Sequence, residues 1–172
     1  LVAQHAGLLT VIVPRHPPRG PDIAALAAGL PVARRSAGQE AGPGVAVYVA
    51  DTLGELGLFY RLARVALIGG SLVPHGGQNP LEAARLGCPI LIGPHHFNFS
   101  EIIARLRKAD ALVETPDGPD AAAGLAAQAT RFLSDAAAGQ GMAGAAARLA
   151  QDQADLPERI ATSLLPLIRP AR

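Results

Sequence analysis

The residues best suited to chemistry lie in two stretches. The first is 65–101, VALIGGSLVPHGGQNPLEAARLGCPILIGPHHFNFSE, where the pairs Gly69, Gly70 and Gly76, Gly77 enclose a polar loop that runs through Ser71 and Gln78 into Asn79 and Glu82. A glycine loop delivered onto a helix start at the carboxyl end of a strand presents backbone N–H groups and the positive end of the helix dipole, which suits a phosphate. The second stretch is PRHPPRGP at 14–21, where Arg15 and His16 follow an apolar run. A guanidinium there can hold a phosphate through two parallel hydrogen bonds, which a lysine cannot reproduce. Plainer readings stay open beside these. Glycine pairs are common in tight loops, Glu82 can simply reach back to its helix cap, and Arg15 can be a solvated loop residue. The loop also lacks both the Walker A lysine and the dinucleotide fingerprint.

The elements that must position these residues are legible from pattern. Apolar, β-branched runs predict strands at 8–13, 32–36, 45–49, 65–68, 89–92 and 111–113. Residues 1–7 read as the end of a helix closed by Gly7, and 22–28 as a short helix. Asn79 can cap the central helix, with Pro80 in its first position, Glu82 three residues after the cap and Gly87 closing it. Thr52 and Glu55 have capping-box spacing, predicting a helix with Leu53, Leu56, Phe59, Tyr60 and Ala63 on its apolar face and Gly54 and Gly57 inside it. Asn98 and Glu101 repeat that spacing and predict a helix over 99–108. From Asp120 the chain is alanine-rich, with Phe132, Leu133, Met142, Leu149, Leu156, Ile160 and Leu164 as apolar anchors, charges at Arg131, Asp135, Arg148, Asp152 and Asp155, and Gly139, Gly141 and Gly144 as breaks between helices.

Strands alternating with helices over the first 115 residues predict an α/β fold, a Rossmann-like parallel sheet with helices on both faces. Residues 1–115 form the expected ligand-binding region, and 116–172 supply helices packed on the same domain. The loops at Arg15, Asp51, 69–78 and 93–98 each follow a predicted strand, so they are expected along one edge of the sheet.

Composition narrows the function. The 172-residue chain has a formal net charge of +1, which implies no broad basic surface and no nucleic-acid partner. Its single cysteine, Cys88, rules out an internal disulfide and reads as a small buried hydrophobe. His95 and His96 are adjacent on a loop without nearby acidic or cysteine partners in sequence, a poor metal-ligand spacing, so neither metal nor cofactor is expected. No apolar window reaches the length of a spanning helix. The chain starts at Leu1 rather than Met and reads as a fragment, itself soluble. An oxidoreductase is disfavoured because no GxGxxG follows the first strand.

GGSLVPHGGQNPLE and GPHHFNFSEI, with PRHP at 14–17, ARRS at 33–36 and DTLGELGLFY at 51–60 in the same order, resemble the 3-deoxy-D-manno-octulosonic acid (Kdo) transferases of lipopolysaccharide synthesis. The resemblance covers 14–102 and fades after about residue 115. His96, Ala83, Arg85 and Cys88 depart from the family pattern. The resemblance implies the C-terminal donor-binding half of a GT-B fold that ends in alanine-rich helices. It also implies CMP-Kdo as donor, a lipid A precursor as acceptor and a missing N-terminal acceptor domain. On this reading Arg15, with His16 beside it, and the glycine loops hold the CMP phosphate, Arg15 stabilises the leaving phosphate, and Glu82 accepts from ribose hydroxyls. Ser71, Gln78 and Asn79 add polar contacts to donor oxygens. The base that activates the acceptor lies in the missing domain, so the fragment is expected to bind without turnover, and the full-length protein to work at the cytoplasmic face of the bacterial inner membrane. A nucleotide-sugar epimerase-like isomerase and a non-catalytic nucleotide-binding module are the alternatives.

Overall fold

The computed structural model describes residues 5–151 and 156–168; the expectations for residues 1–4 and for Asp152 and Asp155 lie outside the described residues, as does the side chain of Leu156. The chain divides into two compact units, Leu1–Leu62 and Ala63–Arg172. Each carries a three-stranded parallel sheet.

In the first unit β1 (Thr10–Ile12), α1 (Gly20–Leu26), β2 (Val32–Arg34), β3 (Val47–Val49) and α2 (Leu56–Leu62) follow in order. The strand order is β1-β3-β2, so β3 is central and all three of its residues are buried. Ala33, Tyr48 and Ala50 form the core, against which Val11, Val13, Val45 and Phe59 pack. The predicted strands are thus present but shorter, because only the residues in register with β3 are paired. The second helix starts later than the capping-box spacing predicted. Gly54 has φ +87°, a left-handed conformation that keeps it in the loop before the helix, and Leu53 is exposed rather than on an apolar face. Ala63 lies beyond the helix end.

In the second unit β4 (Ala66–Leu67), α3 (Leu81–Arg85), β5 (Ile90–Ile92), α4 (Ser100–Lys108), β6 (Val113–Glu114), α5 (Ala121–Ser134), α6 (Ala136–Gln151) and α7 (Leu156–Ile168) follow. Here β5 is central and fully buried in the order β4-β5-β6. Phe132 and Ala129 of α5 pack on Leu91 of β5, with Val65, Val113, Leu125, Ala138 and Met142 around them. Cys88, buried just before β5, has its thiol pushed up to about 11 by that burial.

The three glycines expected to interrupt the C-terminal helices do not. Helix α6 runs through Gly139, Gly141 and Gly144. The break falls instead at Asp135, whose backbone is extended and whose Oδ1 accepts from the Ala137 N–H at 2.8 Å, starting α6. Gly139 has a packing role: a Cβ there would lie 2.6 Å from Pro89 Cγ. Ala143, Ala146 and Ala150 are buried along α6, and Ala83 and Ala84 are buried on α3, against which α6 packs. The alanine richness is therefore what lets a helix approach its neighbours closely.

Space decides the sign at these glycines. Gly139→Ala is expected to destabilise by about 1–3 kcal/mol through overpacking against Pro89. Gly141→Ala, with nothing near its would-be Cβ, is expected to stabilise by up to ~1 kcal/mol. Urea unfolding of the two variants beside the wild type checks both.

Candidate functional site

The glycine loop leaves β4 and folds back on itself. Gly70, Gly76 and Gly77 have φ of +69°, +95° and +75°, which only glycine adopts without strain. The Gly77 N–H donates to the Gly70 carbonyl and the Gln78 N–H to the Gly69 carbonyl, both at 3.0 Å. Those two N–H groups are thus turned into the loop, which narrows the expectation of an open row of donors. Asn79 caps as predicted, its Oδ1 accepting from the Leu81 N–H at 3.0 Å. The helix it starts has five residues, so little macrodipole stands behind the loop. Glu82 is exposed on its first turn, while Gln78 and Asn79 are half-buried.

Ser71 is fully buried and works in both directions. Its hydroxyl donates to the Ile68 carbonyl at 2.5 Å and accepts from the Gly93 N–H at 2.8 Å. It therefore joins the loop after β4 to the loop after β5. A Cβ on Gly93 would stand 2.2 Å from the Ser71 carbonyl oxygen, and one on Gly76 would stand 2.3 Å from Asn98 Nδ2. The two loops are pressed together where side chains are absent. Further bonds run between them: His95 N–H to the Ser71 carbonyl at 2.9 Å, and Asn98 N–H to the Gly76 carbonyl at 3.1 Å. Asn98 does not cap α4 as its spacing suggested; its Nδ2 donates to the His75 carbonyl at 3.3 Å.

The adjacent histidines have acidic neighbours that sequence spacing hid. His95 Nε2 is 3.8 Å from Asp117, and His96 Nε2 is 3.2 Å from Glu114 Oε1. Arg107 of α4 pairs with the other oxygen of Glu114. Among the described residues no group of three or more histidine, cysteine or acidic side chains is arranged to hold a metal ion.

Arg15 and His16 belong to the first unit, where both are exposed after β1, and the other candidate residues belong to the second. The first unit's most constrained polar group is Asp51, just beyond β3. It is 3% exposed, and its Oδ1 accepts from the Ser36 N–H at 2.8 Å, its Oδ2 from the Ser36 hydroxyl at 2.7 Å, and Arg34 Nε lies 3.0 Å away. Burial pushes this carboxyl up, but the Ser36 bonds and Arg34 outweigh it and hold the group below the usual carboxylate range. Gly20 is required beside it, since a Cβ there would fall 1.9 Å from Asp51 Oδ2. Glu55 accepts from Arg35 Nε and Nη2 and from the Thr52 hydroxyl rather than closing a capping box. The bonds from Arg35 and Thr52 lower the Glu55 carboxyl, and the bonds to Glu55 and Tyr48 raise Arg35. Sequence reasoning took Asp51 only as part of a loop after a strand and Glu55 only as a capping residue. The partners of Glu55 and Asp51 lie 20 and 15 residues away, beyond any local pattern.

Parallel strands alternating with helices, with a glycine-rich loop after β4 and Gly93 opening the loop after β5, are a Rossmann-like arrangement, that of the C-terminal half of a GT-B fold. No protein-family model matches the chain. It is 32% identical to the C-terminal CMP-Kdo binding domain of WaaA from Acinetobacter baumannii, with a TM-score of 0.79, covering 87% of this chain and 77% of that one. It is also 46% identical over 112 residues to the 3-deoxy-D-manno-octulosonic acid transferase of Bordetella pertussis and 38% identical over 123 residues to that of Haemophilus influenzae. These matches take in 63% and 70% of this chain, and 26% and 29% of the relatives' own lengths. The chain belongs to the 3-deoxy-D-manno-octulosonic acid transferase family.

The depressed carboxyl of Asp51 contributes stability that is whole above its unfolded pKa of ~3.9 and is lost as pH falls through its lower folded value. Asp51→Asn is therefore expected to cost about 1–3 kcal/mol at pH 7. The gap from wild type should narrow as pH drops from about 5 to 3 in parallel denaturation curves.

Proposed function

We propose that this chain is the donor-binding part of a glycosyltransferase that moves Kdo from CMP-Kdo to a lipid A precursor. The observation that carries the reading is the 32% identity, over 87% of the chain, to a domain described as CMP-Kdo binding. Because the relatives are transferases, the isomerase alternative is not favoured.

The chemistry required of this part is to hold the nucleotide and stabilise the phosphate as it leaves. The glycine loop offers close backbone approach at Gly69 and Gly70, while Gly76 and Gly77, buried against the loop after β5, hold it in shape. Gln78 and Asn79 stand beside it, and Glu82, exposed on α3, is assigned to the ribose hydroxyls as acceptor. Ser71 serves this site by fixing the loop, since its hydroxyl is engaged with Ile68 and Gly93. In the first unit, Arg15 is assigned to the phosphate, with His16 beside it; a cation there favours the charge that grows on the departing CMP. The reaction also needs a base to deprotonate the acceptor hydroxyl, and that group is assigned to the N-terminal part of the full-length protein. The chain alone should then bind donor without turnover, with no metal required. Work at the cytoplasmic face of the inner membrane is assigned to the full-length protein; no helix among the described residues is long and apolar enough to cross a membrane.

Calorimetric titration with CMP and UMP tests the reading. CMP should bind more tightly than UMP, and Arg15→Ala and Glu82→Ala, each confirmed as folded, should weaken CMP roughly tenfold or more. A folded wild-type chain with no preference for CMP would overturn it.

A further inference from the structure

The Glu114–His96–Arg107 cluster lies outside the residues assigned above, although it touches their support. His96 follows β5, Glu114 closes β6 and Arg107 lies near the end of α4, so the cluster ties three elements together. The neutral Nε2–H tautomer of His96 accounts for its hydrogen bonding. Arg107 donates to Glu114 Oε2, leaving Oε1 to accept from His96 Nε2–H at 3.2 Å. With the proton on Nε2, the 3.5 Å approach of Arg107 to that same nitrogen is not a bond.

The other ring nitrogen makes the residue choice informative. His96 Nδ1 is buried and has no hydrogen-bond partner among the described residues. A buried acceptor left unpaired is destabilising. An apolar ring would fill the same space without that cost, so packing alone does not account for a histidine here. What the histidine supplies is the Nε2–H, directed at Glu114.

That bond anchors one end of the contact between the two loops. The would-be Cβ of Gly77 lies 3.4 Å from His96 Cα and 3.5 Å from the His95 carbonyl oxygen. The neighbours His95 and Asn98 donate to the glycine loop from either side. The backbone at His96 is therefore the surface on which Gly77 rests, and the side chain ties it to β6 and α4. We infer that His96 is a positioning residue: through Glu114 and Arg107 it fixes the loop after β5, and so sets the conformation of the glycine loop that receives the donor.

The inference rests on the donor reading for its functional consequence, and two readouts separate the two. His96→Phe keeps a ring but loses the Nε2–H and the unpaired Nδ1, while Glu114 keeps Arg107. It should melt no lower than wild type, yet its amides at 69–78 should exchange hydrogen faster and its CMP affinity fall about tenfold. His96→Gln, which retains an N–H donor of similar reach, should restore both quantities toward wild type. Asp135→Ala, which loses a remote helix cap, should lower the melting point with CMP affinity unchanged. Wild-type exchange and wild-type CMP affinity in His96→Phe would overturn the inference; should that variant not fold, His96→Ala reads the same quantities without overpacking. A wild-type chain that fails to bind CMP sinks the donor reading, and the exchange comparison then decides the positioning role by itself.

Discussion

The second unit depends on the absence of side chains where two loops meet. Ser71 and Gly93 approach so closely that even a methyl group on Gly93 would collide with the Ser71 carbonyl oxygen. The Ser71 hydroxyl converts that proximity into structure, donating back to the end of its own strand and accepting from the neighbouring loop. Both groups are buried, so neither bond competes with water, and losing one would leave a buried polar atom unpaired. Gly76 against Asn98 and Gly77 against His96 repeat the arrangement further along. The glycines thus serve two ends together: positive φ angles that turn the loop, and room for a second backbone beside it.

The first unit solves a similar problem with charge. Asp51 is buried where β3 ends, and it gathers Ser36 and Arg34 from the chain after and within β2, with Gly20 of α1 close against it. A buried carboxylate is tolerated because a cation and two hydrogen bonds compensate it. Arg35 and Glu55 form a second pair alongside, with Tyr48 and Thr52 bonded to them. Both devices sit at strand carboxyl ends, the edge at which parallel α/β sheets place their functional loops. In each unit, the polar groups that could have been free for a ligand are partly committed to holding loops in place.

The C-terminal helices show the same use of small residues at a larger scale. Alanines line the buried side of α6, and Gly139 sits over Pro89 at the entrance to β5. A helix with larger residues at these positions would stand further from α3 and β5. A low-complexity composition therefore encodes a close-packed layer, with Phe132 as the one large fully buried anchor among its described residues.

Periodicity and apolar runs determined the order of strands and helices, because burial of whole strands and one helix face is a local property of the sequence. The Asn79 cap, the glycine loop at 69–77 and the family blocks were legible for the same reason, since each is carried by neighbouring residues. Capping-box spacing at Thr52 and Asn98 misled because tertiary partners won those side chains: Arg35 took Glu55, and His75 took Asn98. Gly139, Gly141 and Gly144 misled because packing stabilises a helix against its own propensity. The commitment of Ser71, the burial of Asp51 and the bonding of His96 to Glu114 were decided only by the tertiary structure. Each depends on groups 15 to 22 residues apart being brought to hydrogen-bond distance, and no local spacing specifies that.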